Sequence, residues 1–494
     1  MVRRSNGHYN ANGRGGARHR AQPGGAIGGM SNSSDGGSPD GESRDARHGD
    51  RAPGTRGMRG RASGERAQVN EGGDSLEAIS IVQRGNLKSL EKTLRKQWRM
   101  GQNIVLCWSS DERGLLVIFV PHYFLGNYCA AAGGASDDES RDNEAFIREL
   151  ISGERRKSRD ELFAVSERLD VSPTFIKLNT ALSEEAQVLA SVEELIKRYG
   201  LSYVDSRAVL LFDIVDFSLY TPFEQASQLN SLSYSLNSAC SKLWGKGIEI
   251  NFARTTTGDG YYVWNRDLSA SANQDLFVFM LLVVADNAVA RAASRGNTVP
   301  VIRTGYHIGG HYELYQAEGV NPSVFSYIVG DVTIELARML DLAQAHQVLI
   351  GEFHCQQAGW GGNAVKSITS VSAAAFVSAC NRALDAVRGI ALSSKGIDAM
   401  SCHLTDMEDA DGETRPRRFR IVDKHGLSRY AYNLEIEIDL AGEVMTLGLD
   451  PSRLPGRSEQ AASPPVQSGA STEELIDDLS SLLKKRGNKT ITEE

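Results

Sequence analysis

The chain has 494 residues, carries 54 Lys and Arg against 62 Asp and Glu for a formal net charge of −8, and is 41% hydrophobic. That length accommodates two or three cores of ordinary size, and the acidic balance argues against a general nucleic-acid binder. Six scattered cysteines (Cys107, Cys129, Cys240, Cys355, Cys380, Cys402) form no C-x-x-C pair and no zinc spacing with histidine, and so read as reduced thiols of a cytoplasmic protein.

Residues 1–75 are Gly, Arg, Ser and Asp with almost no large apolar side chain, and such a segment cannot offset its ordering entropy. It is expected to be a disordered, solvated extension, although Gly13-Arg14-Gly15-Gly16 has the composition of a weak RNA contact and Met58 offers an alternative start. No secretion signal is visible and no apolar stretch reaches membrane-spanning length; the longest run, Leu276 to Ala285, suits a buried helix. Between 76 and 204 the pattern is mixed, with strand-like runs at Ile104 to Cys107 and Leu115 to Val120, then a charged stretch from Asn143 to Tyr199 that reads as a linker or helical hairpin.

From 205 to 352 the periodicity is clearer. Ala208 to Ile214 is a strand-length apolar run interrupted by Asp213. Thr221-Pro222-Phe223-Glu224 is a helix start, with a capping Thr, Pro at the first position and Glu three after the cap, and Gly245 and Gly247 stop that helix. Glu249 to Arg254 and Tyr261 to Trp264 predict two strands joined through Gly258-Asp259-Gly260. A buried helix over Leu276 to Ala293, strands at Val301 to Ile308 and His311 to Gln316, a loop, a helix over Val332 to Leu342 and a strand at Gln347 to Ile350 complete the unit. The order βαββαβ predicts an α+β, ferredoxin-like sheet flanked by helices. Residues 353–450 predict a smaller α+β unit with a helix over Ser372 to Leu392, residues 451–470 a linker, and 471–494 a short amphipathic helix opened by Ser471-Thr472-Glu473-Glu474.

In this topology the first strand lies beside the hairpin, so Asp213 and Asp259 can face each other. Two carboxylates so placed suit a pair of Mg²⁺ or Mn²⁺ ions, with oxygen ligands and phosphoryl chemistry. The turn from Ile214 to Phe217, leading into the helix at Thr221, is expected to cradle a triphosphate through backbone N–H groups. The bland alternatives are a strand-end cap for either aspartate and a plain hairpin turn for the glycines.

Leu210-Leu211-Phe212-Asp213-Ile214-Val215-Asp216-Phe217-Ser218, Thr257 to Tyr261, Arg303 to Gly309, and Val329-Gly330-Asp331-Val332 with Leu336-Ala337-Arg338 together resemble the catalytic domain of class III nucleotide cyclases over roughly 150 residues. The resemblance implies that Asp213 and Asp259 hold two metal ions, that the Ile214 carbonyl is a further ligand, and that Arg338 stabilises the transition state. It also implies a homodimer, with Arg338 acting on a nucleotide held by the aspartates of the second copy.

The departures concern the base. Adenylate cyclases read adenine with a lysine and an aspartate where this chain has Thr255 and Tyr327, and Ile334 replaces the asparagine that accompanies the arginine. Loss of those polar partners, with a bulky Tyr327 in the pocket, favours a single-ring base, with Phe217 and Arg254 as further pocket candidates. The wider stretches Thr304 to Tyr315 and Val320 to Arg338, with Ala253 to Gly260, resemble the pyrimidine cyclases of the bacterial Pycsar antiphage system, which implies cyclic CMP or cyclic UMP acting on a separate effector protein. CTP is the expected substrate and 353–450 a sensor-like unit. The competing readings are a uridylate cyclase, a purine (adenylate or guanylate) cyclase, and an inactive nucleotide-binding homologue.

Overall fold

A computed structural model of the chain describes residues 79–130, 137–269, 271–318, 321–358, 368–408, 414–422 and 428–454. The tail expected over 1–75, the linker beyond 454 and the amphipathic helix over 471–494 lie outside these residues.

The stretch from Asn143 to Tyr199 is neither a linker nor a helical hairpin but part of a folded unit over 79–200. Strands β1 (Asn103–Asp111), β2 (Gly114–Pro121) and β3 (Thr174–Lys177) form an antiparallel sheet. Helices α1 (Ile81–Trp98), α2 (Phe124–Cys129), α3 (Asp137–Ser152), α4 (Arg159–Leu169) and α5 (Ala186–Arg198) accompany it. Leu87, Leu90 and Leu94 of α1 and Val188, Val192 and Ile196 of α5 bury one side of this sheet, while Ile147, Leu150, Leu162 and Val165 of α3 and α4 bury the other. The i, i+4, i+8 spacing of α5 marks an amphipathic stripe; the charges on its outer face are what suggested a linker. Ser158 and Glu161 form a reciprocal capping box at the start of α4.

The larger sheet begins with β4 (Leu201–Ile214), followed by α6 (Pro222–Trp244), β5 (Phe252–Thr256), β6 (Gly260–Asn265), α7 (Ala272–Ala293), β7 (Ile302–Glu318), β8 (Asn321–Val329), α8 (Asp331–Asp341) and β9 (Val348–Gly351). Strands β7, β4, β6 and β5 lie side by side in that order and are antiparallel throughout, with β9 parallel to β7 on its far edge. This places the first strand of the unit between its fourth and third, as a split β-α-β pair requires. The two strands expected at 301–308 and 311–316 are one continuous β7, and the loop expected after them contains β8, which pairs with it.

The segment after 352 extends this sheet instead of standing apart. Hairpin β10 (His354–Ala358) and β11 (Ile368–Ser372) leads into α9 (Ala373–Asn381), shorter than the helix expected to Leu392 because the chain tightens into a 3₁₀ turn over Arg382–Val387. After β12 (Ala391–Leu392) come β13 (Lys395–Leu404), the short pair β14 (Asp406–Glu408) and β15 (Thr414–Pro416), then β16 (Arg418–Val422), β17 (Ser428–Leu440) and β18 (Glu443–Leu447). Strand β17 pairs with β9 through Asn433↔Leu349 and with β13 along most of its length, so one sheet runs from β12 to β5.

That sheet has two unlike faces. Alternation sends Ala208, Leu210, Phe212 and Ile214 of β4 toward α6 and α7, where they join the largest apolar cluster; Val209 and Leu211 point the other way, toward Val332, Leu336 and Leu340 of α8. Helix α7 has 22 residues and is long and apolar enough to cross a membrane, which amends the expectation from sequence. Here its residues Leu276 to Ala285 are buried in the core against β4, β6 and the α6 residues Leu232, Leu236 and Ala239. Helix α8 sits close because β7 presents glycines beneath it: a Cβ on Gly305 would meet Leu336 Cδ2 at 3.0 Å, and one on Gly309 would meet Val332 Cβ at 3.3 Å.

Candidate active site

Asp213 and Asp259 are held together by backbone. In the β4–β6 ladder Asp213 stands opposite Gly260, and the Ile214 N–H donates to the Asp259 carbonyl at 3.0 Å. The Gly-Asp-Gly sequence makes this approach possible. Gly258 has φ +104°, and a Cβ on Gly260 would lie 1.9 Å from the Phe212 carbonyl oxygen, so a side chain there would force the hairpin away from β4. The Thr257 hydroxyl donates to Asp259 Oδ1 at 3.2 Å, steadying the carboxylate at the tip of the turn.

By strand parity Asp213 belongs to the α8 face, and there it meets polar company. Arg303, its ladder partner on β7, donates through Nε to Asp213 Oδ2 at 2.6 Å, and its NH1 donates to the Ala343 carbonyl just beyond α8 at 3.2 Å. Tyr262, on β6, donates its hydroxyl to the Thr333 carbonyl of α8 at 2.9 Å. Burial, opposed by the Arg303 hydrogen bond and charge, pushes the Asp213 carboxyl above its usual range, and the charges of Asp259 and Asp341 add to that. Burial, with Asp213 and Asp341 nearby, pushes Tyr262 up to about 12. Both shifts arise first from burial, with neighbouring carboxylates adding to them.

That chemistry fits a hard divalent cation. The candidate donors are the carboxylates of Asp213 and Asp259 and the carbonyl of Ile214, whose N–H is bonded to the Asp259 carbonyl. Among the described residues no group of three or more His, Cys, Asp or Glu side chains is placed to ligate a metal. Two carboxylates would leave several coordination positions to water, which Mg²⁺ and Mn²⁺ accept.

The expected anion cradle is modified. The capping box of α6 is complete: Glu224 N–H donates to Thr221 Oγ1, and both the Thr221 N–H and its hydroxyl donate to the Glu224 carboxylate. Those bonds hold the Glu224 carboxyl below its usual range, so a carboxylate already takes the helix start at Thr221. What remains for phosphate is the tight turn after Ile214, where Asp216 has φ +57° and Phe217–Leu219 form a single 3₁₀ turn.

The other expected pocket residues do not all converge. Arg254 points to the α6 face, donating to Ser233 at 2.8 Å with its guanidinium 5.2 Å from the Tyr261 ring centre, and so lies across the sheet from Thr255. Phe217 leans on the apolar core, and its carbonyl accepts from Gln225 at 3.0 Å, so it supports the turn. Thr255 and Tyr327 come from strands β5 and β8, which pack together, with Tyr327 outward of the buried Ile328 and 37% exposed. Arg338, on α8, pairs at 3.6 Å with Asp341, whose charge is felt at Asp213, while its Nε is buried without a partner.

Three residues of this site, Arg303, Tyr262 and Asp341, were assigned no role from sequence. Strand alternation would have placed Arg303 and Tyr262 on the side of Asp213, but only the ladder register shows which residue stands opposite which.

No family model matches the chain, and no curated protein does. Among solved structures, the non-canonical dimeric guanylyl cyclase domain of the RhoGC fusion protein from the aquatic fungus Blastocladiella emersonii shares 16% identity, covering 47% of this chain and 97% of its own, at a TM-score of 0.28. The guanylate cyclase domain of RhGC from Catenaria anguillulae in complex with GTP shares 16% over 35% of this chain and 97% of its own, at a TM-score of 0.25. The adenylyl cyclase CyaB from P. aeruginosa shares 13% over 35% of this chain and 94% of its own, also at 0.25. TM-scores of this size do not establish a shared fold.

Proposed function

We propose that residues 205–352 form a class III nucleotide cyclase, which closes a nucleoside triphosphate into its 3′,5′-cyclic monophosphate with release of diphosphate. The observation that carries this reading is the backbone lock between the Gly-Asp-Gly hairpin and the end of β4, which brings the backbones of Asp213 and Asp259 together next to the turn after Ile214. The ferredoxin-like order of β7, β4, β6 and β5 supports it.

Asp213 and Asp259 hold two divalent ions, Mg²⁺ or Mn²⁺, which when bound lower the charge barrier to attack of the 3′-hydroxyl on the α-phosphorus. The 3₁₀ turn after Ile214 orients the phosphates, and Arg338 of a second copy neutralises charge on the leaving diphosphate, so the working unit is a homodimer. Thr255 and Tyr327, without the polar groups that read a purine edge, select a pyrimidine, with CTP ahead of UTP. The cyclic product then serves as a messenger for a separate effector in antiphage defence.

Incubating the full chain with each of the four ribonucleoside triphosphates and Mn²⁺ tests both levels. Cyclic CMP or cyclic UMP is expected; cyclic AMP or GMP alone would retain the cyclase and remove the pyrimidine assignment. A folded Asp259→Ala variant that still turns over would remove the metal assignment. A second reading, a homologue that binds nucleotide without cyclising it, is favoured by Ile334, 47% exposed in place of an asparagine, and by the pairing of Arg338 with Asp341 in its own chain; no product from any nucleotide would select it.

A further inference from the structure

We propose that Arg303 is an internal counter-cation that occupies Asp213 in the metal-free chain and must be displaced before a divalent cation can bind. This rests on the metal reading of Asp213 above.

Asp213 and Arg303 are directly paired residues in the β4–β7 ladder, so neither backbone can withdraw without breaking the centre of the sheet. The guanidinium reaches Asp213 Oδ2 with Nε at 2.6 Å, and both side chains are largely buried, 28% and 14% exposed. A guanidinium does not lose its proton in a protein, so the positive charge persists at every working pH. A divalent ion placed on Asp213 would stand a few ångströms from that charge, and repulsion at such range outweighs a single hydrogen bond. Only side-chain rotation can relieve it. Because NH1 is also bonded to the Ala343 carbonyl, Arg303 ties the metal aspartate to the segment that ends α8, the helix of Arg338 and Asp341. Cation entry at Asp213 therefore loosens the end of α8, and the resting affinity for the cation is held low until a triphosphate supplies further negative charge.

The experiment is Mn²⁺ binding to the nucleotide-free full chain, followed by the electron paramagnetic resonance signal of free Mn²⁺, for wild type, Arg303→Gln, Arg303→Lys and Asp213→Asn. Removing the charge is expected to tighten Mn²⁺ binding by about tenfold in Arg303→Gln, while Arg303→Lys, which keeps the charge, stays within about twofold of wild type. Asp213→Asn should lose the site. Weaker or unchanged binding in Arg303→Gln overturns the proposal and makes Arg303 a support that aims the carboxylate. Wild-type binding that Asp213→Asn does not alter would instead remove the metal reading itself. Hydrogen exchange in wild type gives a check that needs no variant: Mn²⁺ should speed exchange across 338–345, and slower or unchanged exchange there counts against displacement.

Discussion

The two faces of the central sheet are made from alternate residues of the same strands and have little chemistry in common. Toward α6 and α7, β4 presents Leu210, Phe212 and Ile214 to a continuous apolar cluster. Toward α8 it presents Val209 and Leu211 to a smaller apolar cluster and then Asp213, which is bonded to Arg303 and near Tyr262, while His307 and Glu335 form a separate pair on the same face. A slip of one residue in register would exchange the two sets. The apolar residues of both faces thus fix the register on which the polar side-chain pairs beside α8 depend.

The sharpest way to break that contrast is to compare two neighbours on β4. Leu210→Ala, fully buried against α7, should cost about 2–5 kcal/mol in urea unfolding, with any remaining folded protein still active. Asp213→Asn should change stability by only about 1 kcal/mol while abolishing cyclic nucleotide formation. If both lost stability alike, the division of labour would be wrong.

A smaller effect comes from the far end of the chemical face. Arg207, His311 and Glu313 form a buried polar group, with Arg207 NH1 3.1 Å from Glu313 and Ser326 of β8 donating to Glu313 at 2.8 Å. Burial, with the Arg207 charge beside it, lowers the His311 pKa to about 4. Between the ordinary histidine value and about 4 the unfolded chain takes up a proton that the folded chain refuses. The associated stability is complete above about pH 6.5 and is lost as the pH falls toward 4, on the order of 3 kcal/mol in all. Melting temperature measured against pH should show this loss, and His311→Gln should flatten it; an unchanged profile in the variant would place the titration elsewhere.

The smallest expected effect concerns α8 itself. Glu335 is tied to His307 beneath the helix and to Arg429 from β17, one turn before Arg338. Arg429→Gln removes the outer tie from a partly exposed pair, so stability should change by less than about 1 kcal/mol. The positioning of Arg338 should suffer more, with kcat falling a few-fold and KM for the nucleotide nearly unchanged. A change in KM alone would mean that the tie serves binding, not helix placement.

The elements whose pattern declares itself locally were legible in the sequence. The Thr221 capping box, the glycine stop of α6, the apolar run of β4 and the Gly-Asp-Gly hairpin all stand where expected, because each depends on interactions within a few residues. Strand β13 was missed, since Lys395 to Leu404 carries small and polar residues with a register shift between Ile397 and Ala399, and its strand character comes from pairing with β17. Strand β8 was missed because it is stabilised by β7 and by the Ser326–Glu313 bond. Arg254, a pocket candidate from sequence, lies on the face opposite Thr255, as strand alternation requires.

By itself the sequence determined that Asp213 ends a buried strand and that Asp259 sits between two glycines, because backbone sterics and hydrophobic period are local properties of the chain. Only the tertiary structure decided that β6 runs against β4 in the register that bonds Ile214 to Asp259, and that β7 sets Arg303 opposite Asp213. Those pairings join residues up to 90 apart in the chain. Their cause is the fit of whole faces against α6, α7 and α8, which no window of the sequence contains.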